Sequence, residues 1–433
     1  MPAVSTEQHT ARAKEILKAN DRGGYTVPTA KLYPFQWNWD SAFVAMGFAT
    51  YDVVRAYREL ELLASGQWAD GMIPQIIFHA PSDTYFPGPD VWKTNGRSPA
   101  GGPSTSGITQ PPVFGIALRH VHEAAVATGD LALQARTLPL FHSALRHHRW
   151  WLTARDPDRT GLVAILHNWE SGSDNSPAWD LAFERVPTTT TTTIVRKDTG
   201  HVDASMRPRD VDYQRYIHLV DTYAAVNWEP ALQWKIAPFK IAEVQMTAIL
   251  ARATEDLIAL SYSLGTPAEQ AELLDMHERL TTGLRRQWRQ TLGRFVSRDL
   301  VSQSDILTPT HAGFVPLLAL DLDAEQKALI AAEMERWLDG TKVGLPTVPI
   351  TAAAFEAKRY WRGPVWAIMN WLLIDGLERN GLDALAERLR ESTLAAVTAT
   401  DFAEYFDPIT GEGCGGPAFS WTAAAYLHFS RAR

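Results

Sequence analysis

FKIAEVQMTAILARATEDLIALSYSLGTPAEQAELLDMHERLTTGLRRQWRQ, residues 239–290, decides the fold class. Apolar residues recur at spacings of three and four over 239–261 and again over 267–290, the pattern of two amphipathic helices. Between them stands Thr266-Pro267, a hydroxyl suited to capping a helix followed by a proline suited to its first turn. Working outward, the same periodicity marks 5–18, 40–62, 112–128, 132–154, 211–225, 324–338, 363–379, 382–397 and 421–431. Ser5 and Asp323 offer further cap-like starts. Strand signals are short, at Leu162 to Leu166 and Phe295-Val296-Ser297. No fixed repeat joins the helices, which argues against a solenoid. Short and long connections alternate, as in a ring of helical hairpins with its long loops gathered at one end.

Two of those connections are long enough to be functional or mobile. Residues 80–111 carry Tyr85, Trp92, Gly101-Gly102 and Gln110; residues 184–210 carry six threonines, 188–193, then Arg196, Lys197, Arg207 and Arg209. The threonine run reads as a flexible tether or as part of a lid. No composition break divides the chain, so 1–433 is read as one domain with loop insertions at about 80–111 and 184–210.

Composition narrows the function. A net charge of −8 is the wrong sign for a nucleic-acid partner. Apolar residues, 45% of the chain, suffice for a large core, yet no run is long enough to span a membrane. Cys414 is the one cysteine, so no intrachain disulfide can form, and with a polar segment 1–21 the reading is cytoplasmic. A homo-oligomer is left open. There is no CxxC, HExxH, GxSxG or P-loop, so neither a metal nor another cofactor is expected. His142, His147 and His148 follow helical spacing and read as surface or packing residues, and Asp407 to Glu412 lacks the alternating ligands of a calcium loop.

Sixteen tryptophans are the excess in this chain. An indole offers a flat apolar face to the C–H face of a sugar. Trp150, Trp151, Trp337 and Trp371 fall on helical patterns and read as core. Trp37, Trp39, Trp361, Trp366 and Trp421 stand among glycines, prolines and charges, and are cleft candidates. Four segments combine such aromatics with carboxylates or amides. Tyr33-Pro34-Phe35-Gln36-Trp37-Asn38-Trp39-Asp40 precedes a helix, where Asp40 could equally be a cap. Trp169-Glu170-Ser171-Gly172-Ser173-Asp174-Asn175-Ser176-Pro177 is a turn that can present a proton donor. Arg359-Tyr360-Trp361-Arg362-Gly363-Pro364-Val365-Trp366 again precedes a helix. Glu404-Tyr405-Phe406-Asp407-Pro408-Ile409-Thr410-Gly411-Glu412 is followed by Phe419-Ser420-Trp421-Thr422 at the start of the last one. Two carboxylates across a sugar are the minimum for glycoside hydrolysis.

These segments, with Ser106 to Pro112 (SGITQPP), resemble glycoside hydrolase family 63, and most closely its compact bacterial members that cleave mannosylglycerate and glucosylglycerate. The motifs keep the family's order from residue 33 to 422. The resemblance implies an all-α (α/α)6 barrel with long loops over the pocket, and hydrolysis with inversion. It implies Asp174 as general acid and Glu404 as general base; should Glu404→Ala keep most activity, Glu412 in the same segment becomes the base candidate. Tyr33, Trp37 and Asp40 would line the pocket for the released sugar, and Tyr360, Trp361 and Trp366 fall in the sugar-wall motif. Gln110, Arg207 and Tyr213 match positions around the acid aglycone, and Tyr85 lies in a lid-like loop. The threonine run departs from the family pattern, leaving Arg209 and Arg215 as alternatives to Arg207.

A buried guanidinium suits a glycerate carboxylate and has no use for a neutral disaccharide. A surface arginine in a basic loop is the plainer reading of Arg207. The substrate implied is a small α-glycosyl glycerate, glucosyl first and mannosyl beside it. The rivals are an α-glucosidase of neutral oligosaccharides, an epimerase, which would ordinarily use histidines, and a sugar-binding protein without catalysis.

Overall fold

The three expected helix starts each close a reciprocal cap. Ser5 pairs with Gln8, Thr266 with Glu269 and Asp323 with Gln326, each side chain accepting from the other's backbone N–H. The computed structural model describes residues 5–30, 32–94, 96–200 and 202–430.

Its helices form two concentric rings. The inner ring runs Asn38–Phe48, Phe114–Thr128, Val244–Leu264, the 3-10 turn Val315–Leu318, Ala367–Arg379 and Ser420–Phe429. Each packs against the next, and the last returns to the first. Outside them, Thr6–Asn20 lies on Ser420–Phe429, Val53–Ser65 on Asn38–Phe48, Thr137–Ala154 on Phe114–Thr128, Pro267–Arg285 on Val244–Leu264, and Asp383–Ala399 on Ala367–Arg379. Ala324–Leu338 completes the outer ring, with Trp337 edge-on to Phe314 at 4.8 Å. This is the (α/α)6 barrel.

Burial follows ring position. Every residue of Asn38–Phe48 is buried, as expected of a helix packed on all sides. Ala324–Leu338 buries Ile330, Met334, Trp337 and Leu338, one stripe of an outer helix. Trp151, Trp337 and Trp371 are core, as expected. Among the described residues no helix is long and apolar enough to cross a membrane.

Several expected helices are broken or shorter. The segment 40–62 is two helices, Asn38–Phe48 and Val53–Ser65, because Asp52 caps the second by accepting from the Arg55 N–H at 3.0 Å. The segment 132–154 divides into Leu131–Ala135 and Thr137–Ala154. Helix 239–261 starts at Val244, because Glu243 caps it and Ile241–Ala242 is instead a strand. That strand joins Ala164–Ile165, Ser297–Asp299 and Ser304–Ile306 in a four-stranded antiparallel sheet, which contains the expected strand at 162–166. The expected strand 295–297 is instead split at Val296, with Phe295 in a separate pair of Trp288–Arg289 and Arg294–Phe295. A second small sheet, Gln36–Trp37, Ile76–Phe78 and Ser104–Thr105, leads into the pocket.

Candidate active site

The pocket lies where the connections between helices meet. It offers about 730 Å³ of free space, mouth included, within the roughly 300–1,000 Å³ of small-molecule sites. Tyr33, Trp37, Asp40, Tyr85, Gln110, Asp174, Arg207, Tyr213, Tyr360, Trp361 and Glu404 all line it. Of the expected site residues, only Trp366 does not. It is fully buried, stacked on Trp361 with ring centroids 4.0 Å apart and on Tyr405 at 4.5 Å, and its indole N–H donates to the Tyr360 carbonyl. Trp366 therefore backs the aromatic wall.

Asp40 is the third residue of its helix and not its cap; Trp37 holds the cap position and makes no side-chain bond there. The Asp40 carboxyl is left to the pocket. Asp174 follows the 3-10 turn Asn168–Ser171. Gly172, at φ +69°, permits that turn; a Cβ there would meet the Trp39 ring at 2.7 Å. Asn175 Oδ1 accepts from the Trp361 N–H at 2.9 Å, joining the Asp174 turn to the aromatic wall. Glu404 leads into the strand Tyr405–Phe406 and is buried. Its Oε1 accepts from the Tyr33 hydroxyl at 3.2 Å and its Oε2 from the Gly416 N–H at 2.8 Å. Gly415, at φ +73°, lets this carboxylate approach; a Cβ would stand 2.3 Å from Oε2.

The environments of the three carboxyls differ. Burial raises Asp174 to about 7; the Glu404 charge adds to the rise and Arg207 opposes it. Burial also raises Glu404, opposed by Arg207, by the Gly416 N–H and by the Tyr33 hydroxyl. Asp40 is pushed well above the usual carboxylate range by burial and by the charges of Glu404, Asp174 and Glu59. Glu404 has two donors that favour its charged form, and among the described residues Asp174 has no donor beyond its own N–H. Of these two, the proton is better held on Asp174 and the charge on Glu404.

Beside the carboxyls, Arg207 is buried under the pocket loops. Its Nη1 donates to the Tyr33 hydroxyl at 2.9 Å, and its guanidinium lies over the Tyr360 ring at 4.2 Å. Tyr33 thus accepts from Arg207 while donating to Glu404. Arg209 instead reaches Glu356, and Arg215 the Val186 carbonyl. The threonine run is not a free tether: the backbone N–H groups of Thr191 and Thr192 and the Thr192 hydroxyl all donate to Asp221. Gln110 Oε1 accepts weakly from the Trp39 N–H.

Other candidates lie elsewhere. Glu170 is buried in an ion pair with Arg155 at 2.7 Å, Asp180 pairs with Arg362, and Glu412 pairs with Lys358, none of them in the pocket. His147 and His148 are buried packing residues. Among the described residues no group of three His, Cys, Asp or Glu side chains is placed to hold a metal ion. Trp39 and Trp421 line the pocket, as their surroundings suggested. The sequence reading missed Gln75 and Asp198. Gln75 is 4% exposed with an unpartnered Oε1. Its signal was only a glutamine after Pro74, next to an apolar run. Asp198 was hidden in a segment read as basic.

Residues 33–422 match the family model described as the mannosylglycerate hydrolase MGH1-like glycoside hydrolase domain. The mannosylglycerate hydrolase of Thermus thermophilus is 44% identical over 97% of this chain and 100% of its own. The glucosylglycerate hydrolase of Mycolicibacterium hassiacum is 35% identical over 98% of each. A crystal structure of GH63 mannosylglycerate hydrolase from T. thermophilus in complex with Tris and D-glycerate matches with a TM-score of 0.92 and 43% identity. The match covers 98% of this chain and 100% of that one. With the barrel, the paired carboxyls and the family's domain spanning nearly its whole length, this chain belongs to glycoside hydrolase family 63, among its MGH1-like members.

Proposed function

We propose that the protein hydrolyses the α-glycosidic bond of a small glycosyl glycerate, glucosylglycerate or mannosylglycerate, to the free sugar and glycerate, with inversion. The observation that carries this reading is Arg207. A buried guanidinium shares one small pocket with Asp174 and Glu404, and its Nη2 makes no hydrogen bond to another described residue. A substrate carboxylate would take that edge in a charge-assisted pair. The relatives' names support both sugars, with mannosylglycerate attached to the more similar one.

In this mechanism Asp174 enters protonated and delivers its proton to the glycosidic oxygen as the C–O bond breaks. Glu404, ionised, takes a proton from a water whose oxygen attacks the anomeric carbon from the opposite face. Both carboxyls then return to their starting states by exchange with solvent. Tyr33, Trp37, Asp40, Tyr360 and Trp361 hold the sugar, while Gln110, Arg207, Tyr213 and Tyr85 surround the glycerate. Residues 1–433 act as one catalytic domain, because the first helix packs on the last.

Proton NMR of the reaction with α-glucosylglycerate, α-mannosylglycerate and maltose, each alone, tests the reading. Early release of the β-anomer from a glyceryl substrate, with maltose untouched, is expected. Cleavage of maltose alone would remove Arg207 from the mechanism, and early α-anomer would replace inversion by retention.

A further inference from the structure

We infer that Asp198 is a positioning residue for the glycerate end of the site: it holds Arg207 by its Nε edge and Tyr213 by its hydroxyl, so that the opposite edge of the guanidinium faces the substrate carboxylate. The inference rests on the proposed glycerate substrate and goes beyond it by naming what fixes the anion receptor.

Asp198 comes from the short 3-10 turn Asp198–Gly200 in the 184–210 segment and lines the pocket with its side chain 9% exposed. Its Oδ2 accepts from Arg207 Nε at 3.1 Å and from the Tyr213 hydroxyl at 3.1 Å. Its other support is Arg196, whose Nε donates to Oδ1 at 3.1 Å and Nη2 to Oδ2 at 2.8 Å. Arg196 is itself fixed, with its guanidinium 4.2 Å above the Tyr213 ring and Nη1 on Asp210 at 2.7 Å. Asp210 and Tyr213 belong to one helix, Asp210–Ala224, so this support stands on a regular element.

Two consequences follow from the geometry. With Nε on Asp198 and one Nη1 proton on Tyr33, the Nη2 protons and the second Nη1 proton remain for a ligand. The guanidinium also reaches Glu404 only through the Tyr33 hydroxyl, which accepts from its Nη1 and donates to the carboxylate. The network Asp210–Arg196–Asp198–Arg207 alternates in sign and sums to zero, and Arg196 divides itself between the two aspartates, so Asp198 is shared and is not the counter-ion of Arg207 alone.

The test compares Asp198→Asn, Asp198→Glu and Arg207→Met on the glyceryl substrate and on an aryl α-glycoside of the same sugar without a carboxylate. Asparagine keeps the size of the side chain but loses the charge that binds Arg196 and Arg207. For Asp198→Asn the ratio of kcat/KM between glyceryl and aryl substrates is expected to fall by about 10- to 100-fold, the weight of a charge-assisted hydrogen bond. The fall should lie mainly in KM, with Asp198→Glu restoring part of it. In an Arg207→Met background the same substitution should leave the ratio unchanged. An equal loss on both substrates, or additive losses in the double variant, would give Asp198 a merely structural role and overturn the inference. If Arg207→Met itself leaves the ratio untouched, the glycerate reading fails and this one with it. If Arg207→Met abolishes the preference and Asp198→Asn does not, only the role of Asp198 is lost.

Discussion

At the scale of single residues, the pocket separates its carboxyls by what surrounds them. Asp174→Asn and Glu404→Gln should each lower kcat by roughly 10²–10⁴-fold with an unchanged far-ultraviolet dichroism spectrum. In the proposed mechanism a proton on Asp174 is needed for departure of the leaving group, and burial raises its carboxyl to about 7. Activity should therefore fall as pH rises through that value, where the acid form is lost. Arg207 pulls the value down. In Arg207→Met, assayed on an aryl glycoside, the alkaline limb of kcat/KM should move to higher pH; a limb that stays in place or moves lower would assign it to another group. Gln75 makes an opposite pair of expectations. Its backbone is fixed, donating to the Ile108 carbonyl and accepting from the Asn38 N–H, while Oε1 has no partner among the described residues. An unpaired buried carbonyl costs stability unless a ligand hydroxyl meets it. Gln75→Leu should keep or raise the melting temperature while lowering kcat/KM by about tenfold, the weight of one hydrogen bond to a neutral group. Nothing in the sequence marked Gln75, because its signal is a missing partner, and partners exist only in three dimensions. That Asp174 and Glu404 line the pocket was legible because each stands in a segment whose residue types have few other uses.

At the scale of elements, caps were the most legible feature and breaks the least. Ser5, Thr266 and Asp323 were all read correctly, since a cap is a contact within four residues. The break between Asn38–Phe48 and Val53–Ser65 was missed although Asp52 carries the same chemistry, because the apolar period runs on across it. What divides the two helices is the step from inner to outer ring. Asp52→Ala should cost about 1 kcal/mol of unfolding free energy and leave kcat unchanged, since the side chain it removes caps an outer helix and the backbone bond to the Phe48 carbonyl stays; chemical denaturation with parallel assays checks both. The turn behind Glu404 should behave otherwise. Gly415→Ala places a methyl group against the Glu404 carboxylate and forces a left-handed conformation costing roughly 1–2 kcal/mol. The expected outcome is a lower melting temperature together with a loss of kcat far larger than the stability change explains.

At the scale of the molecule, the ring closes where the chain's ends meet. Ser420–Phe429 packs on Asn38–Phe48, and Gly47 makes the approach close: a Cβ on it would lie 2.7 Å from the Ala424 Cβ. These two helices carry Asp40 and Trp39 on one side and Trp421 on the other, and the Trp39 and Trp421 rings meet edge-on at 5.5 Å. Helical content and the gathering of motifs into one cleft were legible from periodicity and residue type. Closure was not, because it depends on a seam between residues more than 370 positions apart, and in sequence it was carried by the family resemblance alone. The fourth inner position shows the same limit: it is filled by the 3-10 turn Val315–Leu318 and not by an α-helix, which no period announces. The seam therefore couples stability to catalysis in a way the outer ring does not. Gly47→Val overpacks it, at about 1–3 kcal/mol, and must shift Asp40, seven residues away on the same buried helix, relative to Trp421. Calorimetry should show a lower melting temperature, and kcat/KM should fall on glyceryl and aryl substrates alike, because the displaced Trp39, Asp40 and Trp421 line the pocket for either substrate. A selective loss on the glyceryl substrate would instead mean that the seam's distortion acts through Arg207, which the Tyr33 hydroxyl links to Glu404.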